Sequence, residues 1–452
     1  MIAAPHAASW GPAVLHAPLL KEALPLLLTP LLLAGYAYRA ALAPALRRAH
    51  LALVAAVLVA FGGLLALRAR TNVASPPEWD AQCFWLYGRV AAAGADFYSP
   101  AAFHAVHRTL AAREPLLSTT PVFSREVLDV SFPYPPPTIL LVAPLGWFDL
   151  QAGVALWYAA IVAALAGAVY LLWRTFLPGG GPAALAVTAA LVVTFRGTYT
   201  TFAFGQTSLL VLVMLLLFWR ARDRLPGGAY LALGTAVKPV FAFVALWPVL
   251  RGRWRTLAAA AAAGGVLLLA TAALFGPRTV ATYLTDNPIA RAPDGLYAEP
   301  VNQSLAATIV RLTHHNFADG SPLTQPLFLT LALTIAAVTG WLVARLGPER
   351  GDVALALLLP TALLIYPHSL EHYTVLLLAP LFLLWTRGEE LGVSRPLAIA
   401  LVSAEFALVR YDKGVVAIAA TALLWLVLVG VGARQLARPR ARATMRPAVL
   451  GD

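Results

Sequence analysis

The chain has 452 residues, of which 60% are hydrophobic and 12% charged, with a formal net charge of +12. A soluble fold of that make-up could not cover its surface with polar groups, so the composition predicts an all-α polytopic membrane protein. The positive charge does not point to nucleic acid, because the arginines fall in short intervals between apolar blocks, where they orient helices in a bilayer. The lone cysteine, Cys83, excludes an intramolecular disulfide and a cysteine-built metal site.

Residues Met1 to Lys21 lack the basic start and small-residue cleavage site of a secretory signal, so the first apolar block reads as a retained span. Leu24–Leu42 and His50–Leu67 are the first two expected spans, close to the roughly 20 residues that a hydrocarbon core of about 30 Å requires. Placing Arg39, Arg47 and Arg48 in the cytoplasm puts the N-terminus outside and delivers the interval 68–137 outside as well. Within this first outer loop, Glu78–Ala93 has the periodicity of an amphipathic interfacial helix, broken at Phe97-Tyr98-Ser99-Pro100. The run Phe132-Pro133-Tyr134-Pro135-Pro136-Pro137 is non-helical, since each proline biases its predecessor to extended geometry.

Thr138–Phe148 is too short to span and is expected to re-enter or lie at the interface. Ala152–Trp173, Ala183–Thr194 and Gln206–Trp219 read as crossings. Two short arms follow, Gly228–Val237 and Val240–Leu250, broken at Lys238-Pro239 and flanked on both sides by basic runs. Leu257–Phe275 leads to a second outer loop, 276–324, and Leu327–Val343 returns. Leu355–Tyr366 and Thr374–Trp385 are short arms around Pro367-His368-Ser369-Leu370-Glu371-His372. Leu397–Val409 and Val415–Val431 close the bundle before a basic tail, 434–452. The pattern predicts one domain of about 11–13 membrane helices, with the N-terminus outside and the tail cytoplasmic. The intervals so assigned to the cytoplasm hold more than half of the Lys and Arg but under a third of the Asp and Glu.

Several residues could carry chemistry. Asp80 follows Trp79 and precedes an aromatic-rich helix (Phe84, Trp85, Tyr87). It reads either as a loop carboxylate capping that helix or as a general base toward a sugar hydroxyl in a partly desolvated pocket. Lys238, midway through an apolar hairpin, either snorkels or meets an anion such as a lipid phosphate. Gln206 starts a helix behind Phe204-Gly205 and could be a cap or a sugar contact. Asn302-Gln303-Ser304 with Arg311 suits hydroxyls plus one anion, or is solvated polarity. His368 and His372 bracket Glu371; Pro367 and a missing third ligand argue against zinc, and a single imidazole polarised by a carboxylate is the expected use.

In this order these marks resemble one family, the polyprenyl-phosphate-sugar-dependent membrane glycosyltransferases of family 87, with the GT-C fold. The resemblance runs roughly from Glu78 to Pro380. It rests on Asp80, on Asp96-Phe97-Tyr98 with Phe132-Pro133-Tyr134-Pro135-Pro136, and on Gly205-Gln206. It continues through Gly234-Thr235-Ala236-Val237-Lys238-Pro239, Asn302-Gln303-Ser304-Leu305 with Arg311, and Pro367 to His372. Each motif is weak alone; the ordered set is more specific. The resemblance implies inverting transfer of a sugar, mannose or arabinofuranose with mannose expected first. The donor would be a polyprenyl phosphate and the acceptor a glycolipid or polysaccharide at the outer face of the cell membrane. Asp80 would then be the base, with His372 as second catalytic residue. Lys238, Arg311 and His368 would hold the donor phosphate, and Gln206, Asn302, Gln303 and Tyr134 the sugar or acceptor. No metal or other cofactor is implied. An extra N-terminal span and an insertion around Ala111–Val130 depart from the family pattern. The contrasting class is a transporter or flippase of lipid-linked sugars, favoured by Lys238 but not by the absence of an internal repeat; a ligase moving a whole lipid-linked glycan is a third.

Overall fold

The computed structural model describes residues 23–74, 80–113, 131–285, 301–315, 321–410 and 414–437. The expectations for the N-terminal residues, for Glu78 and Trp79, for most of the Ala111–Val130 insertion and for the tail beyond 437 lie outside these residues. Among them the backbone is helical, with one isolated bridge, Asn302↔Leu370, and no strand.

The elements follow the apolar blocks. α1 (Leu24–Ala37) and α2 (Pro44–Ala74) form the first hairpin, and α3 (Asp80–Ala92) and α4 (Pro100–Ala111) belong to the first outer loop. α5 (Thr138–Val142) passes into a 3-10 turn, Ala143–Trp147. Then come α6 (Leu150–Phe176), α7 (Gly181–Thr194), α8 (Arg196–Phe204), α9 (Ser208–Ala221) and α10 (Leu225–Val237). Pro239–Ala245 is 3-10 and leads into α11 (Leu246–Leu250), followed by α12 (Trp254–Phe275) and α13 (Pro277–Thr285). α14 (Leu305–Thr313), α15 (Thr324–Arg345) and α16 (Gly351–Ile365) precede a 3-10 segment, Glu371–Leu377. α17 (Leu378–Leu391), α18 (Arg395–Leu408) and α19 (Ala419–Ala437) complete the bundle.

Five helices are long and apolar enough to cross a membrane, and α7 with α8 makes a sixth if that pair, bent by 61°, is one span. Several other expected crossings are shorter apolar helices, among them α1, α9 and α10. Burial sorts their positions. α16 is apolar all round and buried at nearly every residue, as a central helix must be. In α12 only Thr256 and Thr271 are buried, while Val266, Leu269 and Leu274 are 64–72% exposed, which is the behaviour of a helix facing lipid. The chain is a polytopic all-α membrane protein.

One expectation needs correction. α3 is not an amphipathic helix with one face in the headgroups: ten of its 13 residues are buried. The cover comes from α5, its 3-10 extension and α6. Gly88 and Gly146 make the approach possible, since a Cβ on Gly146 would lie 2.2 Å from the Gly88 carbonyl oxygen. Trp85 Nε1 donates to the Phe148 carbonyl (3.1 Å), and Arg89 Nη1 to that of Gly146 (2.9 Å). Phe97, Phe132 and Tyr134 then pack on Tyr87 and Phe84, so the proline-rich run closes over the same helix.

At the other end of α6 the basic loops gather around Asp352. Arg222 (2.8 Å) and Arg387 (2.5 Å) pair with its carboxylate, and Trp219 Nε1 donates to it (2.9 Å). Arg251 donates to the Leu346 carbonyl (2.5 Å) and Arg220 to that of Arg174 (3.0 Å).

Candidate active site

The site is assembled from breaks in helices. α8 ends at Gly205, whose φ of +73° is the left-handed geometry that favours glycine; a Cβ there would also lie 2.5 Å from Ala81 Cβ. That close approach sets the following residue, Gln206, beside the first turn of α3, which carries Asp80. Trp157 Nε1 fixes the turn by donating to the Gly205 carbonyl (2.6 Å). Asn72 anchors α2 to the same place, donating to Tyr158 Oη and to the carbonyls of Phe202 and Ala203 (3.2 Å each).

Lys238 sits where α10 stops before Pro239, a residue that supplies no backbone N–H and disfavours helix before it. The side chain does not snorkel. It is 1% exposed, donates through Nζ to Gln206 Oε1 (3.0 Å), and lies 3.7 Å from the centre of the Tyr373 ring. Thr138 Oγ1 donates to the Ala236 carbonyl and ties this hairpin to the proline-rich run.

Asp80 keeps part of its surface open, but its carboxyl is enclosed. Burial pushes it above its ordinary value, opposed by a hydrogen bond from Gln206 and by the charge of Lys238. Tyr134 belongs to the same group: burial and then the Asp80 charge push its phenol up, while its hydrogen bond with Gln206 works the other way. His372 is 2% exposed, and burial, with the nearby Lys238 charge, holds its imidazole well below the usual value. It is therefore neutral at neutral pH and able to accept or donate one proton.

A second strip joins this group from the far loops. Through the Asn302↔Leu370 bridge, Gln303 N–H donates to the Ser369 carbonyl (2.6 Å) and Glu371 N–H to that of Val301 (3.0 Å). Asn302 Nδ2 and Ser304 Oγ both donate to the Pro367 carbonyl (2.9 and 2.8 Å). The side-chain amide of Gln303, the Ser369 hydroxyl and His372 Nε2 are buried with no hydrogen-bond partner among the described residues. Other unpaired buried polar atoms occur elsewhere in the bundle, but this strip lies next to the Asp80 group, where such atoms are free to pair with a ligand.

Of the residues singled out from sequence, Asp80, Tyr134, Gln206, Lys238 and His372 come together. Gln303 reaches the neighbouring strip. Asn302 spends its amide on the Pro367 carbonyl, and Arg311 Nη1 donates to the Asn302 carbonyl (2.9 Å), so both brace the strip. His368 is held down to about 4 by burial, so at neutral pH it offers an N–H and not a charge. Glu371, at the start of the 3-10 turn 371–377, pairs with Arg196 (3.6 Å) at the α7–α8 bend. The same turn, and the non-helical His368–Leu370 stretch, keep the two histidines off a common helical face. Sequence reasoning missed Tyr373, whose only signal was adjacency to His372, and missed Arg196 as a partner of Glu371. Among the described residues no group of three His, Cys, Asp or Glu could hold a metal ion.

The model of glycosyltransferase family 87 matches residues 132–380, more than half of the chain, from the proline-rich run through the 3-10 segment that carries His372; α3 with Asp80 precedes the match. The chain belongs to that family. An alpha-(1->3)-arabinofuranosyltransferase of Mycobacterium tuberculosis, found in strains CDC 1551 / Oshkosh and ATCC 25618 / H37Rv, is 33% identical over 141 residues. The match covers 30% of this chain and 33% of that protein, so the similarity spans about a third of the curated relatives' length. No solved structure matches.

Proposed function

We propose that this family 87 member is a membrane glycosyltransferase that moves a sugar from a polyprenyl-phosphate donor to a hydroxyl of a glycolipid or envelope glycan. The observation that carries the reading is the convergence of Asp80, Gln206, Lys238 and His372 beside a strip of buried, unpaired polar groups. A carboxylate pushed up by burial is a stronger base than a solvated one, and the hydrogen bond from Gln206 and the charge of Lys238 favour its ionised form. In this reading Asp80 takes the acceptor O–H proton as that oxygen bonds the anomeric carbon. The bond from that carbon to the phosphate oxygen breaks, its electron pair leaves with polyprenyl phosphate, and the configuration inverts.

Lys238 balances the negative charge that grows on the departing phosphate, an electrostatic role strengthened by its desolvation. Gln206 joins acid and base sides, holding Asp80 and Lys238 in one hydrogen-bonded line. His372, neutral, is placed to hold or pass a proton near the phosphate. Gln303 and Ser369 are assigned to sugar hydroxyls, and Tyr134 to the acceptor. Arg311 keeps a proposed part in phosphate binding through the strip it braces, and His368 through its N–H. The site end faces outside and the Asp352 end the cytoplasm, as the distribution of Lys and Arg supports.

The relative is named for arabinofuranosyl transfer, which places a pentofuranose donor beside the mannose expected from the sequence. The test uses the full chain in lipid with radiolabelled polyprenyl-phosphate arabinofuranose or mannose and cell-envelope lipids, wild type against Asp80→Asn. Label entering a product with the wild type alone supports the reading and names the sugar. Equal transfer by both proteins removes Asp80 from the chemistry. A lipid-linked sugar crossing the bilayer without bond exchange would make the chain a transporter.

A further inference from the structure

A second site lies at the opposite end of the bundle. There α1 ends against the α6–α7 turn and against α17, leaving a cavity of about 440 Å³, open at its mouth. It is as roomy as ordinary small-ligand sites. Its walls include Tyr36 and Trp385, whose rings meet at a tilt with centroids 5.7 Å apart, the backbone of Gly179 and Gly180, and two guanidiniums, Arg39 and Arg395. Trp157, which touches the Asp80 site, and Phe176, which lines this cavity, lie 19 residues apart on α6. At 1.5 Å per residue that is about 28 Å, close to the thickness of a bilayer core. The cavity is therefore separate from the site above.

Three features define what it would take. The first is charge. Arg39 lies over the Tyr36 ring at 3.9 Å and donates to the Tyr36 carbonyl (2.9 Å), so the guanidinium is held rigidly at the rim. Arg395 donates to the Ala37 carbonyl (3.4 Å) and pairs with Glu389 (2.7 Å). The Glu389 carboxylate offsets one cation and leaves the rim net positive. Each guanidinium has five N–H donors, and among the described residues these contacts use one on Arg39 and two on Arg395. The second feature is aromatic and amphipathic: Tyr and Trp side chains mark the headgroup level of a membrane. The third is a track into lipid. On α1, Leu27 (67% exposed), Leu31 (54%) and Tyr38 (38%) recur at i, i+4 and i+11, one stripe leading along the helix to Arg39.

We infer that this cavity binds the phosphodiester headgroup of an anionic phospholipid from the leaflet at the Asp352 end, with its acyl chains along the exposed leucines of α1. Basic pockets between membrane helices on the cytoplasmic side take such headgroups. The shared chemistry is a phosphate group, and the leucine stripe is what assigns it to a lipid.

The test is native mass spectrometry of the full chain, released from detergent containing phosphatidylglycerol and phosphatidylcholine in equal amounts. Its readout is bound lipid, so it stands or falls independently of sugar transfer. The wild type is expected to retain phosphatidylglycerol preferentially. The double variant Arg39→Gln/Arg395→Gln is expected to lower that preference about fivefold or more, since each basic side chain near a membrane surface contributes roughly that factor. Arg48→Gln removes a charge from an exposed position at the start of α2, outside the cavity, and should leave the preference intact. Size-exclusion and circular dichroism traces identical to wild type establish that the variants fold. No preference in the wild type, an unchanged preference in the double variant, or an equal loss in Arg48→Gln overturns the site. Displacement of phosphatidylglycerol by millimolar inorganic phosphate overturns its assignment to a lipid.

Discussion

The two ends of this bundle handle buried charge in opposite ways. At one end Asp352 receives two guanidiniums and an indole N–H, and its neighbours donate to carbonyls within 3.0 Å. At the other end a carboxylate, a lysine and a neutral imidazole are drawn out of water with fewer contacts than they can make. The Gln303 side-chain amide, the Ser369 hydroxyl and His372 Nε2 have no hydrogen-bond partner among the described residues. Arg222 Nε and Arg251 Nε and Nη2 are also buried without a partner among the described residues, so the difference lies in the carboxylates: both oxygens of Asp352 are paired with cations, whereas Asp80 has Gln206 and a nearby lysine. The contrast separates an end that holds the helices together from an end that does chemistry, and each substitution below tests that separation.

The largest effect is expected from Asp80→Asn. Loss of a general base removes a factor of about 10²–10⁴, and initial-rate measurements should show it in kcat with little change in donor binding. The pH profile carries the same signature. Transfer needs the ionised carboxylate, so the rate rises with pH and levels off above the shifted value, with a midpoint above the usual carboxylate range. The stability sign is opposite to that of a salt-bridged acid. A carboxyl raised in the folded state contributes stability that is complete below its unfolded pKa and is lost as pH rises through its folded one. A rate that rose through the ordinary carboxylate range would mean that Asp80 is solvated when it works.

Lys238→Met comes next. It keeps an apolar stem of similar length and deletes the ammonium that bridges Gln206 and faces Tyr373. A loss of about 10–100-fold in kcat/KM is expected, of the size seen when one charge-stabilising donor is removed. A full rate with Met in place would assign Lys238 to structure and would move the site end closer in kind to the Asp352 end.

Much of this was legible in the chain itself. The apolar blocks gave the helices, Pro239 gave the break at Lys238, and Pro133–Pro137 gave the non-helical run beside Asp80. What periodicity could not give was tertiary cover. α3 has a one-sided pattern, yet it is enclosed on all faces because Gly88 and Gly146 let a distant 3-10 turn approach. Nor could spacing show that Gln206 and Lys238, 32 residues apart, share a hydrogen bond. Nor did spacing show that Glu371 pairs with Arg196, 175 positions earlier in the chain. A local motif states which groups are near in sequence, and helix breaks decide which of them meet.

Asp352→Asn tests the other end. Removing its charge leaves Arg222, Arg387 and the Trp219 indole with a weaker acceptor. The side chains of Arg222, Asp352 and Arg387 keep 19–37% of their surface in contact with solvent, so water replaces part of what the two arginines lose. A loss of about 1–3 kcal/mol is expected, read as a lower melting temperature in lipid, with transfer per folded molecule unchanged. A drop in kcat at constant stability would connect the two ends.

The smallest and most discriminating change is Ser369→Ala. In a satisfied network, deleting a buried hydroxyl leaves a partner unpaired and costs about 1–3 kcal/mol. Ser369 Oγ is 2% exposed as a residue and has no hydrogen-bond partner among the described residues, so its deletion should leave the melting temperature unchanged or raise it slightly. If the hydroxyl instead meets the sugar, KM for the donor should rise several-fold, by the roughly 0.5–1.5 kcal/mol of one neutral hydrogen bond. Unchanged stability with weaker donor binding is the pattern that a site waiting for its ligand predicts. A fall in stability with unchanged KM would mean that Ser369 belongs, like Asp352, to the scaffold.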